Sequence, residues 1–179
     1  MTTFVIVGGG LAGAKAAETL RAEGFDGGVV LFGDEPELPY ERPPLSKGYL
    51  LGNAARESAF VHDAEWYAEH NVDLRSGVTV EAIDPAAHTV SFREDSPALD
   101  GAARPPIPAR NTLTYDKLLL ATGASPRMID IPGAALEGVR YLRRLPDSDA
   151  LREAFSGGLE ADPAGPHDHH SATAAERLA

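Results

Sequence analysis

Continuous apolar runs and period-two alternation divide this chain into elements. Phe4-Val5-Ile6-Val7 and Val29-Val30-Leu31-Phe32 are unbroken runs of β-branched and aromatic residues, the pattern of strands buried on both faces in a parallel sheet. Between them, residues 14–21 are strong helix formers, with Ala17 and Leu20 spaced to face the sheet and Gly24 as the stop. Residues 63–70 read as a short amphipathic helix in which Trp66 and Tyr67 are packing residues, and Val72-Asp73-Leu74 as a short strand. Residues 78–84 and 89–92 alternate with period two about a turn at Pro85, which predicts a hairpin or meander. The apolar pattern resumes over residues 113–121 as a buried strand. Tyr141-Leu142-Arg143-Arg144 is a further extended piece, and residues 147–155 read as a helix capped by Asp147 or Ser148.

The breaks carry information of their own. Prolines at 36, 39, 43 and 44 forbid a regular helix and imply a stiff extended segment, with a helix starting near Ser46 as its cap. Composition alone makes this a surface loop; its functional alternative is a lid that brings Arg42 and Lys47 beside a ligand. Residues 93–111 are rich in Pro, Ala and Asp without periodicity, as expected of a flexible insertion at a hairpin tip. From Ser156 the periodicity fades, apart from a weak helical pattern over residues 172–178. The expected organisation is a domain over residues 1–155 and a disordered tail over 156–179. His167, Asp168, His169 and His170 have metal-binding chemistry, but a floppy tail lacks the supporting contacts that fix a metal site, so no metal is expected there.

The 179 residues suit one domain, and 43% hydrophobic content supports a core. A net charge of −11 argues against nucleic acid and anionic membrane surfaces as partners. There is no apolar run of membrane-spanning length and no signal-peptide series at the start, so a cytoplasmic protein is expected. Cysteine is absent, which excludes a disulfide framework, thiolate metal sites and a redox-active dithiol in this chain. Any electron transfer must then run through a bound cofactor.

The chemistry concentrates after the first strand. Gly8-Gly9-Gly10-Leu11-Ala12-Gly13 places glycines in the order G-x-G-x-x-G. Gly8 permits the tight turn, Gly10 leaves the backbone open to a pyrophosphate, and Gly13 allows close helix–strand packing. The helix start then offers unpaired N–H groups and a positive dipole end. Asp34 follows the second strand at about 21 positions beyond Gly13, near the spacing of an acid that bonds a ribose hydroxyl. The usual place for that acid is the strand end, here Gly33, so Glu35 competes with Asp34. Thr122-Gly123 ends the later strand in a small, polar turn, which lets backbone approach a ligand at the carboxyl ends of the strands.

Three motifs coincide in order: the glycine turn with Asp34, Tyr40-Glu41-Arg42-Pro43-Pro44-Leu45-Ser46-Lys47, and Leu120-Ala121-Thr122-Gly123-Ala124-Ser125-Pro126-Arg127. Together they closely resemble the ferredoxin and rubredoxin reductases, FAD-dependent members of the pyridine nucleotide-disulfide oxidoreductase superfamily. The resemblance spans residues 3–155. It implies an α/β, Rossmann-like FAD/NAD(P)-binding parallel sheet with helices and an inserted β-meander. It implies hydride transfer from NAD(P)H to FAD, then electrons to a ferredoxin- or rubredoxin-type acceptor. Gly8, Gly10, Ala12 and Gly13 resemble the pyrophosphate loop, Asp34 the ribose ligand, and Lys47 the catalytic cation near the reactive flavin edge. Arg42, Val80 (adenine), Thr122, Gly123, Arg127 and Arg143 resemble further cofactor contacts.

The departures matter equally. There is no second G-x-G-x-x-G to open a nicotinamide domain, and the returning segment whose acid holds the ribityl chain is missing. Two rivals therefore stand beside the reductase reading. One is a truncated, non-catalytic fragment that binds FAD or only its ADP part. The other is a small nucleotide-sensing module.

Overall fold

The computed structural model describes residues 2–94 and 111–157. Strand β1 (Thr3–Val7) lies inside a parallel sheet, between β2 (Gly28–Phe32) and β7 (Lys117–Leu120), and β3 (Val72–Arg75) extends the sheet beyond β2. Helix α1 (Leu11–Ala22) makes the crossover from β1 to β2, and α2 (Ala64–Glu69) precedes β3. Strands β4 (Val78–Asp84), β5 (Thr89–Glu94) and β6 (Asn111–Thr114) form an antiparallel meander. The last described element is α3 (Leu145–Gly157).

The apolar runs are continuous because the central strands face two layers. Val5, Val7, Val30 and Phe32 pack against Val78, Val90 and Phe92 of the meander. Their alternates Ile6, Val29 and Leu31 pack against Ala17 of α1 and Tyr67 of α2. Side chains on a strand alternate faces, so only covering both makes every position apolar. The insertion read at residues 93–111 falls at the β5–β6 connection, whose residues 95–110 lie outside those described.

Helix boundaries follow local chemistry. Gly24, at φ +79°, ends α1 in a Schellman motif: its N–H donates to the Arg21 carbonyl, and that of Phe25 to the Leu20 carbonyl. Asp63 caps α2 by accepting from the Trp66 N–H at 2.8 Å, and Asn71 closes that helix at φ 51°. Tyr67 is buried, whereas Trp66 is half-buried and stacked between the rings of His62 and His70.

Four expectations shift. No helix starts at Ser46; a single 3-10 turn, Pro43–Ser46, ends there, because Pro at both of its first positions sets the start one residue after Arg42. Helix α3 begins two residues before Asp147, so neither Asp147 nor Ser148 is its cap. Asp147 instead reaches back to accept from the N–H groups of Arg143 (2.8 Å) and Arg144 (2.7 Å), while buried Ser148 donates to the Leu45 carbonyl. The helix also runs through Gly157, past the boundary expected at 155; residues 158–179, with the histidine cluster, lie outside those described. Finally, the single buried strand expected over residues 113–121 is broken at Tyr115-Asp116, β6 joining the meander and β7 the parallel sheet, and β7 is an exposed edge: Leu119 is 44% and Leu120 57% accessible.

Candidate functional site

A groove runs along the carboxyl ends of β1, β2 and β7. Three adjoining openings, of about 580, 220 and 220 Å³, all share Asp34 and Thr122 in their walls. Strand order reverses here, since the chain proceeds from β1 to β2 and β3 on one side and returns to β7 on the other. Such a switch point leaves a crevice, because the connections leaving neighbouring strands diverge to opposite sides.

The glycine turn forms its floor, and its glycines differ. A Cβ at Gly8, whose φ is +124°, would stand 2.2 Å from the Ala121 carbonyl oxygen, so this position seats β1 against the end of β7. A Cβ at Gly13 would stand 2.0 Å from the Gly8 carbonyl oxygen, which makes Gly13 a packing residue beneath the turn; it is buried and does not line the groove. At Gly10 nothing lies within 4 Å. Gly10 precedes α1, whose start has no side-chain cap and no acidic residue in its first turn. The first amides of the helix, which lack intrahelical acceptors, therefore face an open space bordered by Ala12, Arg42 and Arg143.

The proline-rich segment forms one wall. Glu35 is only 9% accessible. Its carboxylate accepts from the Tyr40 hydroxyl at 2.5 Å and from Arg42 at 2.9 Å. Arg42 also donates to the Arg143 carbonyl at 2.5 Å, and the Leu145 N–H donates to the Tyr40 oxygen at 3.2 Å. Burial, and then the hydrogen bond to Glu35, pushes the Tyr40 phenol well above its ordinary range, so it stays a neutral donor. These bonds tie residues 35–42 to the start of α3. Asp34 is exposed at the groove and pairs with Arg144 at 2.6 Å. Neither Tyr40 nor Arg144 is marked as a site residue by the sequence: one reads as a loop aromatic, the other as the neighbour of Arg143.

The remaining sequence assignments divide. Val80 and Thr122 line the opening beside Phe32, where the pairing of β4 with β5 shifts register between Val80 and Ala82. Gly123, at φ +69°, and Arg143 face each other across the groove: a Cβ on Gly123 would meet the Arg143 guanidinium at 3.1 Å. Lys47 is exposed at the end of the 3-10 turn, and Arg127 is exposed beyond Pro126; neither lines these openings. A separate apolar trough of about 640 Å³ follows α1 and β7, away from the glycine turn, with Phe4, Leu20 and Leu119 in its walls. Among the described residues no helix is long and apolar enough to cross a membrane.

The sequence profile of the pyridine nucleotide-disulphide oxidoreductase family matches residues 2–160. Rhodocoxin reductase of Rhodococcus erythropolis is 40% identical over 154 residues, covering 86% of this chain and 33% of the relative. The ferredoxin-NAD(+) reductase component of the biphenyl dioxygenase system of Paraburkholderia xenovorans is 40% identical over 156 residues, covering 87% and 34%. Among solved structures, the covalent putidaredoxin reductase–putidaredoxin complex superposes with a TM-score of 0.70 at 36% identity, covering 86% of this chain and 34% of that one. The chain thus spans about a third of the length of the relatives it matches.

Proposed function

This chain belongs to the pyridine nucleotide-disulphide oxidoreductase family, and on that premise we propose that it is the FAD-binding part of an NAD(P)H-dependent reductase serving a ferredoxin-type iron–sulfur protein. The observation that carries the reading is the open space above Gly10, at an uncapped helix start within a groove that reaches Asp34 and Val80.

The residues fit the cofactor. The amides at Gly10–Ala12 take the pyrophosphate, with Arg42 and Arg143 as the adjacent cations. Asp34 accepts the ribose hydroxyls, and it is preferred to Glu35 because Tyr40 and Arg42 already engage both Glu35 oxygens. Val80 and Thr122 wall the adenine end. Thr122-Gly123 offers backbone to the cofactor from the β7 side. Gly8 and Gly13 shape the turn rather than touch the ligand. Lys47 and Arg127 keep their roles from the resemblance alone. When bound, FAD supplies the conversion of a hydride into single electrons; the protein contributes binding, orientation and charge.

A second reading concerns these 179 residues taken by themselves: a flavin-binding unit without turnover of its own, since they hold no second glycine fingerprint. A titration tests the first reading and a turnover assay the second. Saturable quenching of FAD fluorescence is expected from the wild type. Gly10→Val is expected to keep the far-UV circular dichroism and weaken binding at least about tenfold, by placing a side chain where the pyrophosphate approaches. No saturable uptake by a folded wild type would overturn the FAD reading. Ferricyanide reduction by the loaded chain with NADH would overturn the second reading.

A further inference from the structure

The acid proposed for the ribose is not free in this structure. Arg144 Nη2 lies 2.6 Å from Asp34 Oδ2, and Arg144 lines the same polar opening as Asp34. Its Nε reaches Glu35 only at 4.0 Å, and that carboxylate is already held by Arg42 and Tyr40. Burial disfavours the charge on Arg144, but Asp34 and Glu35 outweigh it and hold the guanidinium above its ordinary range. The backbone of Arg144 is fixed, because its N–H donates to Asp147 at 2.7 Å just before α3. A change of side-chain rotamer is therefore enough to release Asp34.

We propose that Arg144 sets cofactor affinity by competing with the adenosine ribose for the Asp34 carboxylate. This rests on the reading of Asp34 as the ribose ligand. A carboxylate oxygen that accepts a guanidinium N–H at 2.6 Å has lost acceptor capacity for a ribose hydroxyl, and the guanidinium occupies part of the opening the sugar must enter. Asp34 and Arg144 are about half exposed, 53% and 49%. Exposed pairs are weak, so the competitor is displaced at a cost of only a few-fold in affinity.

The test is a double-mutant cycle read by FAD fluorescence quenching on folded wild type, R144Q, D34N and the double variant. R144Q is expected to bind FAD about two- to fivefold more tightly than wild type, the size of an exposed ion pair. In the D34N background the same substitution is expected to bring no tightening. A gain of affinity cannot come from structural damage. Unchanged or weaker binding by R144Q, or tightening that persists without the Asp34 charge, would overturn the inference while leaving FAD binding intact. No saturable uptake by the wild type would remove the reading beneath it, and the inference with it.

Discussion

Strands β1 and β7 lie side by side in one parallel sheet, with Val5 paired to Leu118 and Val7 to Leu120. Both are apolar runs, and their fates differ. Ile6 is 1% accessible beneath α1 and α2, whereas Leu120 is 57% accessible. What separates them is position: β1 has a hydrogen-bonded strand on each side and a layer on each face, and β7 has a neighbour on one side only. The difference teaches that an apolar run reports the surroundings a strand can occupy, not which neighbours cover it. Beyond β7 the exposure continues through Met128, Ile129, Ile131, Leu136 and Val139.

The strongest way to break the comparison is at the point where the two strands meet. Gly8→Ala is expected to destabilise the fold by about 3 kcal/mol or more, since it combines overpacking with a disfavoured φ; its Cβ would stand 2.2 Å from the Ala121 oxygen. A urea titration followed by circular dichroism measures this, and a loss below about 1 kcal/mol would mean that the β7 end yields easily. The next effect sharpens the contrast between the strands. Ile6→Ala is expected to cost about 2–5 kcal/mol as a core truncation, and Leu120→Ala to stay within about 0.5 kcal/mol. Equal losses in the same denaturation assay would show that β7 is buried in solution.

The smallest effect lies on α1, which covers β1 but leaves β7 bare. Glu18 accepts hydrogen bonds from Lys15 and His62, both at 2.7–2.8 Å. The Lys15 bond, then the His62 bond, hold its carboxyl below the ordinary carboxylate range. The folded state therefore favours the charged form. Its contribution to stability is complete above the unfolded carboxyl pKa and is lost as pH falls through the depressed folded value. An NMR titration is expected to place the Glu18 midpoint below the ordinary carboxylate value, and His62→Gln to raise it; an unmoved midpoint would remove the His62 contact.

Much of the fold was legible because it is set by local chemistry. Alternation marked the meander, Gly24 the end of α1, and the glycine spacing both the turn and the sheet it opens. The candidate site was legible only where a residue type has a nearly unique use, as at the glycines of the turn, Gly8 and Gly13, whose close approaches leave no room for a side chain. Glu35 and Asp34 could not be told apart in the sequence, since both are acids after the same strand. In the structure their surroundings differ: Tyr40 and Arg42 engage Glu35, and Arg144 engages Asp34.

The sequence by itself determined most of the strands and helices, the glycine turn and the family, though not the division of residues 113–121 into β6 and β7, because backbone preference, side-chain periodicity and motif spacing act over short stretches of chain. Only the tertiary structure decided that β7 is an exposed edge, that Lys47 and Arg127 stand outside the groove, and that Arg144 meets Asp34 across a sequence separation of 110 residues. Burial and ion pairing depend on which distant surfaces meet, and no local pattern records that.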